Sequence, residues 1–228
     1  MDIIFFAALA AFIFYKLNKE LGKVDEDEKR QIQEKLLKKR EEFAKIQEQL
    51  RTQVEEKIIG ASSTVLKNKA EEKIFENLEE SSKQAFEAIL KSCKISAEFF
   101  LNGAKSAFEM TIKAFAKADL ETLKILLSEK IYQGFEAAIK QRNSEEKTLT
   151  TNIISIEKSE IISAQMQENN AIVAVKFVSK QINYISNKAG EVVEGRKEEI
   201  SEITDIWTFK KDVTSPNPNW AVISTESK

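Results

Sequence analysis

The chain has 228 residues with 35 Lys and Arg against 37 Asp and Glu, no histidine, and a single cysteine, Cys93. The near-cancelled charge removes the basic excess a nucleic-acid partner calls for. The missing histidine removes His triads, His general bases and His metal ligands, and one cysteine excludes an intramolecular disulfide. Hydrophobic residues make up 42%, enough to build a core, and only 6 Gly and 2 Pro leave room for long uninterrupted helices.

Ile3 to Tyr15 reads I-I-F-F-A-A-L-A-A-F-I-F-Y, with no charge. As a helix it is roughly 20 Å long, short of the ~30 Å hydrocarbon core. Met1 and Leu17 lengthen it, and Lys16 and Lys19 are placed to snorkel to the headgroups. A cleaved signal peptide needs a basic start and a small-residue site after the apolar run. Here Asp2 stands first and Ala8-Leu9-Ala10 lies inside. A soluble core helix is the other alternative, but this run is apolar on every face. The favoured reading is a membrane anchor over residues 1–24, built on Ile3, Phe5, Phe6, Phe12, Phe14 and Tyr15. Lys16, Lys19 and Lys23 after the run place the bulk of the chain on the cytoplasmic side, as a single-pass protein.

Residues 25–94 form a charged linker. Asp25 to Lys57 is dense in Glu, Lys, Arg and Gln, good helix formers. Ile32, Leu36, Phe43, Ile46, Leu50 and Val54 make a narrow apolar stripe at coiled-coil spacing over fewer than four heptads. It reads as a solvated stalk, or as a partner-binding or self-pairing helix. Gly60 to Thr64 breaks the pattern. A second helix follows from about Asn68 to Ser92, with Ile74, Leu78, Ala85, Ile89 and Cys93 roughly on one side, so Cys93 reads as a small buried or half-buried hydrophobe.

Residues 95–228 form the distal domain. Leu101, Ala104, Phe108, Ile112 and Phe115 step by 3 and 4, an amphipathic helix ending near Lys117. Asp119 caps a short helix carrying Leu120, Leu123, Leu126 and Leu127. Ser128 caps a third, with Ile131, Tyr132, Phe135, Ala138 and Ile139 inward, ending at Arg142 to Ser144. The period then drops to 2. Leu149 to Ile162 and Ala171 to Ser179 are strands joined by a turn at Gln167 to Asn170. Ser186 to Gly190 turns the chain again, and Val192 and Val193 open a short strand. In the terminal hairpin Ile203, Asp205, Trp207 and Phe209 share the inward face, and Asp212 to Asn219, with both prolines, turns into the strand Trp220 to Thr225. The fold class is α+β: three helices packed on one face of a curved antiparallel sheet, a cone with an apolar interior. Phe108, Phe115, Tyr132, Phe135, Phe177, Trp207 and Phe209 are its expected lining, either as a filled core or as the wall of a ligand cavity. Asp205 is the best-placed acid or base, but no second convergent group accompanies it, and backbone or hydroxyl partners account for it equally. No catalytic residue, metal site or cofactor is therefore assigned.

These residues carry a family resemblance. F-L-N-G-A-K-S-A-F-E-M (Phe100 to Met110) runs on to A-F-A-K-A-D-L-E-T-L-K-I-L-L-S (Ala114 to Ser128). V-K-F-V-S (Val175 to Ser179), D-I-W-T-F-K-K-D (Asp205 to Asp212) and S-P-N-P-N-W (Ser215 to Trp220) follow. Together, over about Ser96 to Thr225, they resemble the Tim44-like domain of the mitochondrial import-motor scaffold, of a mitochondrial large-subunit ribosomal protein and of bacterial membrane proteins. The resemblance implies a nuclear-transport-factor-2-like cone with an apolar pocket, attachment to the inner membrane and affinity for anionic lipid. For the mitochondrial scaffold it also implies docking of a seventy-kilodalton chaperone to a protein-conducting channel. That contact lies mainly in the N-terminal extension, where this chain has only a charged segment. No Arg-rich, acid-poor presequence precedes the domain, and the anchor suits a bacterial inner membrane.

The expected function is a non-enzymatic, membrane-anchored scaffold that recruits a soluble partner or client chain: a chaperone, a translocon component or a ribosome. The alternatives are a lipid-binding module with an acyl chain in the cone, and a ribosome-to-membrane tether. Self-association through the stalk is an alternative to a plain solvated stalk. Lys105, Lys113, Lys117, Lys124 and Lys130 are placed through the helices to face anionic headgroups or plain solvent.

Overall fold

The computed structural model describes residues 74–227. The expected anchor and the stripe from Ile32 to Val54 lie outside them. Within them no helix is long and apolar enough to cross a membrane.

Among the described residues, the elements from Glu80 onward are α1 (Glu80–Cys93), α2 (Ala97–Ala116), α3 (Leu120–Leu126), α4 (Glu129–Ser144), then β1 (Thr148–Gln167), β2 (Asn170–Ser186), β3 (Val192–Gly195), β4 (Ser201–Asp212) and β5 (Ala221–Ser227). Local chemistry sets the helix ends. Lys94, at φ 55°, closes α1 in the left-handed region while the Ile95 N–H donates to the Leu90 carbonyl at 3.1 Å. Ser96 Oγ accepts from the Phe99 N–H at 3.1 Å and starts α2. Asp119 Oδ1 accepts from the Thr122 N–H at 3.0 Å and starts α3. Ser128 precedes α4 without the expected side-chain cap: its carbonyl accepts from the Tyr132 N–H at 2.8 Å, while its own N–H donates to the Val222 carbonyl at 2.8 Å. That bond, with the Leu127–Val222 bridge, ties the helices to the last strand.

The sheet is antiparallel throughout, in the order β1-β2-β4-β5, with β3 also paired to β2. β1 is much longer than a flat strand tolerates and takes three extra residues, Ile154, Glu157 and Ile162, at register shifts against β2. Such bulges bend a strand and increase its twist, which curls the sheet around the helices. They also leave Ile154 (47%) and Ile162 (38%) exposed on an edge strand that bulges protect from pairing with another chain.

Alternation on β2 and β4 builds the concave face. Ala171, Val173, Val175, Phe177, Ser179 and Gln181 are buried on β2, and Asp205, Trp207 and Phe209 on β4. Helix α2 lies over them with Phe100, Leu101, Ala104, Phe108, Thr111 and Phe115 inward. Arg142 of α4 covers the far end of α2, its Nη2 donating to the Phe115 carbonyl at 2.9 Å with the guanidinium 5.1 Å from the Phe115 ring centre. The core reaches further back along the chain than the charge pattern suggests. Phe86 and Ile89 of α1, expected within the linker, are fully buried in it, and Ile74, Phe75 and Leu78 pack against it.

Candidate functional site

An apolar groove of about 300 Å³ opens between helix α2 and the segment joining β4 to β5. One wall is small. Gly103, Ala104 and Ala107 form a stripe along α2, with Phe99 and Phe100 at its head. The opposite wall comes from Phe209, Lys211, Val213, Ser215, Pro216, Pro218 and Trp220, and Ser92, Cys93, Ile95 and Leu126 complete the lining. Trp220 meets Phe100 at 4.9 Å between ring centres, in an edge-on arrangement that fixes the floor.

The proline wall is held from within. Asp212 Oδ1 accepts from the Thr214 N–H (2.9 Å) and hydroxyl (2.6 Å). Ser215 Oγ accepts from the Asn217 N–H at 3.2 Å, and Asn217 Oδ1 from the Asn219 N–H at 3.0 Å. Lys211 Nζ donates to the Asn217 carbonyl across the turn. Each of these side-chain turns supplies the backbone partners that a loop without a ladder would otherwise lack.

Gly103 gives the groove its depth. It sits in the interior of a 20-residue helix, where glycine costs roughly 0.5–1 kcal/mol relative to alanine. A Cβ built there meets nothing within 4 Å. Gly103→Ala is therefore expected to raise stability by about 0.5–1 kcal/mol in urea unfolding, because the helix gains and nothing clashes. Gly103→Leu should fill the groove while keeping the fold. A loss of more than 1 kcal/mol in the alanine variant would show that the helix is strained in a way its geometry does not reveal.

The seven expected lining residues separate into groups. Phe209 lines the groove. Phe108, Phe177 and Trp207 pack on one another: Phe108 stacks on Phe177 at 4.5 Å and meets the Trp207 ring edge-on at 4.9 Å. Phe115 and Phe135 meet at 5.0 Å beyond that layer. The Tyr132 hydroxyl donates to Glu136 Oε1 at 3.3 Å, and burial, then the Glu136 carboxylate, push it up to about 12. The groove side of α2 escaped the residue-type reading because its signature is missing side chains. A lone mid-helix glycine beside Ala104 and Ala107 was the available signal.

Asp205 points into the core beside Trp207 and is 6% exposed. The Ser227 hydroxyl donates to its Oδ1. Burial pushes its carboxyl up to about 6, against the lowering effect of that hydrogen bond. Past the aromatic layer the inward face of β2 turns polar, with Gln181 Nε2 donating to Ser179 Oγ at 2.8 Å. Thr111 Oγ1 is buried on the overlying helix with no protein partner. No group of three or more acidic or Cys side chains with metal-binding spacing occurs among the described residues. Cys93 is half-buried, and burial pushes its thiol up although Lys211 opposes this. That is the environment of an inert cysteine.

The geometry defines a class: a small α+β domain with a curved antiparallel sheet, a filled aromatic centre and an apolar groove at one end. The Tim44-like domain matches residues 82–227, and the chain belongs to that family. It is 31% identical over 108 residues to the Caenorhabditis elegans protein described as "probable mitochondrial import inner membrane translocase subunit tin-44", covering 47% of this chain and 25% of that protein. It is 22% identical over 107 residues to human mitochondrial import inner membrane translocase subunit TIM44, covering 47% and 24%. The matched part spans about a quarter of the length of these relatives. Among solved structures, the intermembrane space region of the chloroplast protein ARC6 is similar with a TM-score of 0.42 at 10% identity, over 56% of this chain and 95% of that one. A nuclear transport factor 2-like protein of Salmonella enterica gives 0.35 at 9%, over 58% and 92%.

Proposed function

We propose that this protein is a membrane-anchored scaffold of the bacterial inner membrane. It recruits a soluble partner or a client chain of a protein-translocation system and uses the α2 groove as its apolar contact. The Tim44-like match over nearly the whole described domain supports this most directly, since two relatives sharing it are described as translocase subunits. The uncharged run Ile3 to Tyr15 supports the anchor. Crosslinking in native membranes, followed by identification of the captured proteins, tests the reading. Repeated capture of a chaperone or translocon component supports it. Capture of ribosomal proteins turns it into a ribosome tether.

The groove favours a second reading, a lipid-binding role. A volume near 300 Å³ with a mainly apolar lining, edged by Ser92, Lys211 and Ser215, suits part of an acyl chain. Lys105 and Lys113 lie on α2 and Lys117 is its C-cap, and each contributes about 1 kcal/mol where it stands beside an anionic surface. Glu109 holds the Lys113 ammonium at 2.9 Å and offsets part of that attraction. The full chain should therefore carry lipid through purification, Gly103→Leu should lose it, and anionic vesicles should bind better than neutral ones. Equal binding to both vesicle types would sink the electrostatic part.

A further inference from the structure

We propose that the α2 groove takes a single-chain carboxylate, a free fatty acid, with its tail along Gly103, Ala104 and Ala107 and its head on the Lys211 ammonium. The proposal rests on reading the groove as a lipid site, and names which lipid enters it and which residue selects it.

The groove carries one charge and no counter-charge. Of the residues that line it, Lys211 alone is charged. It follows Asp205, Trp207 and Phe209 on the inward face of β4 and is half-buried, its stem lying along the apolar wall. Its Nζ donates to the Asn217 carbonyl, which spends one of the three N–H groups of an ammonium. No carboxylate among the described residues forms an ion pair with it. Asp212, next in the chain, is exposed on the other face, its Oδ1 held by the Thr214 N–H and hydroxyl. The Lys211 charge also reaches the Cys93 thiol, where it opposes the upward push of burial. A half-buried ammonium with only a neutral partner is stabilised by an anion brought to it. Ser215 lines the same wall. Its Oγ accepts from the Asn217 N–H, which leaves its own proton for a second bond to that anion.

The rest of the lining favours an aliphatic chain over a peptide. The Val213 N–H donates to the Asn169 carbonyl at 2.9 Å and the Ser215 N–H to the Asp212 carbonyl at 3.2 Å. The N–H groups of Thr214, Asn217 and Asn219 bind the side chains of Asp212, Ser215 and Asn217. Pro216 and Pro218 have no N–H to offer. Every backbone donor from Val213 to Asn219 is therefore spent. The facing wall is the interior of helix α2, whose backbone is paired within itself. A peptide entering here would strip water from its own carbonyls and find no backbone N–H in return. A hydrocarbon tail has no such groups. The volume of about 300 Å³ lies at the small end for ligand sites, which suits one chain and not the two of a diacyl lipid.

The test photolabels the full chain, held in nanodiscs of phosphatidylcholine, with a diazirine palmitate, and maps the labelled peptides by mass spectrometry. Label should fall on α2 and on the turn between β4 and β5. The methyl ester of the same probe keeps the tail and loses the charge, so it should label there about tenfold less, the loss expected for a charge-assisted hydrogen bond. Lys211→Met should bring the acid down to the level of the ester, Lys211→Arg should keep most of the labelling, and Gly103→Leu should remove it. Equal labelling by acid and ester would overturn the proposal while leaving an acyl-chain groove, and so would full labelling of Lys211→Met by the acid. Stronger groove labelling by a diazirine phosphatidylglycerol than by the palmitate would also overturn it, assigning the site to a bilayer lipid. Absence of groove labelling by every probe would remove the lipid reading itself. The comparison of acid with ester is made in the unaltered protein, so it decides the matter even where a variant fails to fold.

Discussion

Phe108→Ala should cost about 3–5 kcal/mol of stability, the range for deleting a fully buried aromatic ring without collapse of its surroundings. Phe108 is completely buried, stacked at 4.5 Å on Phe177 and edge-on to Trp207 at 4.9 Å. The three rings come from α2, β2 and β4, so no single element can move in to fill the hole. Ring pairs of this geometry add roughly 0.5–1.5 kcal/mol beyond their burial. With total stability of about 5–15 kcal/mol for a domain of this kind, the variant would sit near the folding threshold. Urea unfolding of the full chain in mild detergent, followed by tryptophan fluorescence, measures it. The denaturant midpoint should fall with the slope unchanged. A loss below about 1.5 kcal/mol would mean that Phe108 borders a preformed cavity and not a filled centre. The experiment thus decides between the two roles the aromatic residues suggest. Tyr132→Phe is the contrast. Its ring is only partly buried and its hydroxyl bond to Glu136 is long, 3.3 Å, so its loss should cost under about 1 kcal/mol.

Strong periodic signals were legible and weak or negative ones were not. Ile203 to Phe209 alternates so clearly that Asp205, Trp207 and Phe209 are inward in the sequence and buried in the fold. Asp119 is an N-cap in both, and the turn after Gln167 falls at Glu168 and Asn169. The extent of β1 was hidden because Ile154, Glu157 and Ile162 each shift the alternation by one residue. The helix before Cys93 looked like linker because charge dominates it. The side carrying Ile74, Leu78, Ile89 and Cys93 was legible and packs on the core, but Phe86, fully buried, stands outside that spacing among charged neighbours. The groove was least legible. Its walls meet only once the β4–β5 turn folds back over α2, and its depth comes from the atoms Gly103 lacks.

Asp205→Asn should stabilise the protein at pH 8 by an amount on the order of 2–3 kcal/mol and lose that advantage as the pH falls toward 4. The sign follows from burial. Removing the carboxylate from water disfavours its charged form and pushes the group from its ordinary value of 3.8 up to about 6 in the folded state. Between those values the folded protein holds a proton that the unfolded chain has released. Stability from this group is therefore complete below about pH 4 and declines as pH rises through 6. Above that, a buried carboxylate persists with one hydroxyl, from Ser227, donating to it. A shift of about two units corresponds to roughly 3 kcal/mol. Asparagine keeps the size and a hydrogen-bonding oxygen but never ionises, so the difference between the two proteins isolates this one titration from all others. Ser227→Ala should act in the opposite sense. It removes the bond that lowers the acid, so the decline should still begin near pH 4, where the unfolded chain starts to release the proton, but run on to a higher pH and reach a larger loss at pH 8. Urea unfolding at intervals from pH 4 to 8 reads both effects. A constant difference between the wild type and Asp205→Asn across that range would show that Asp205 titrates in the folded protein as it does in the unfolded chain, with its carboxyl open to water.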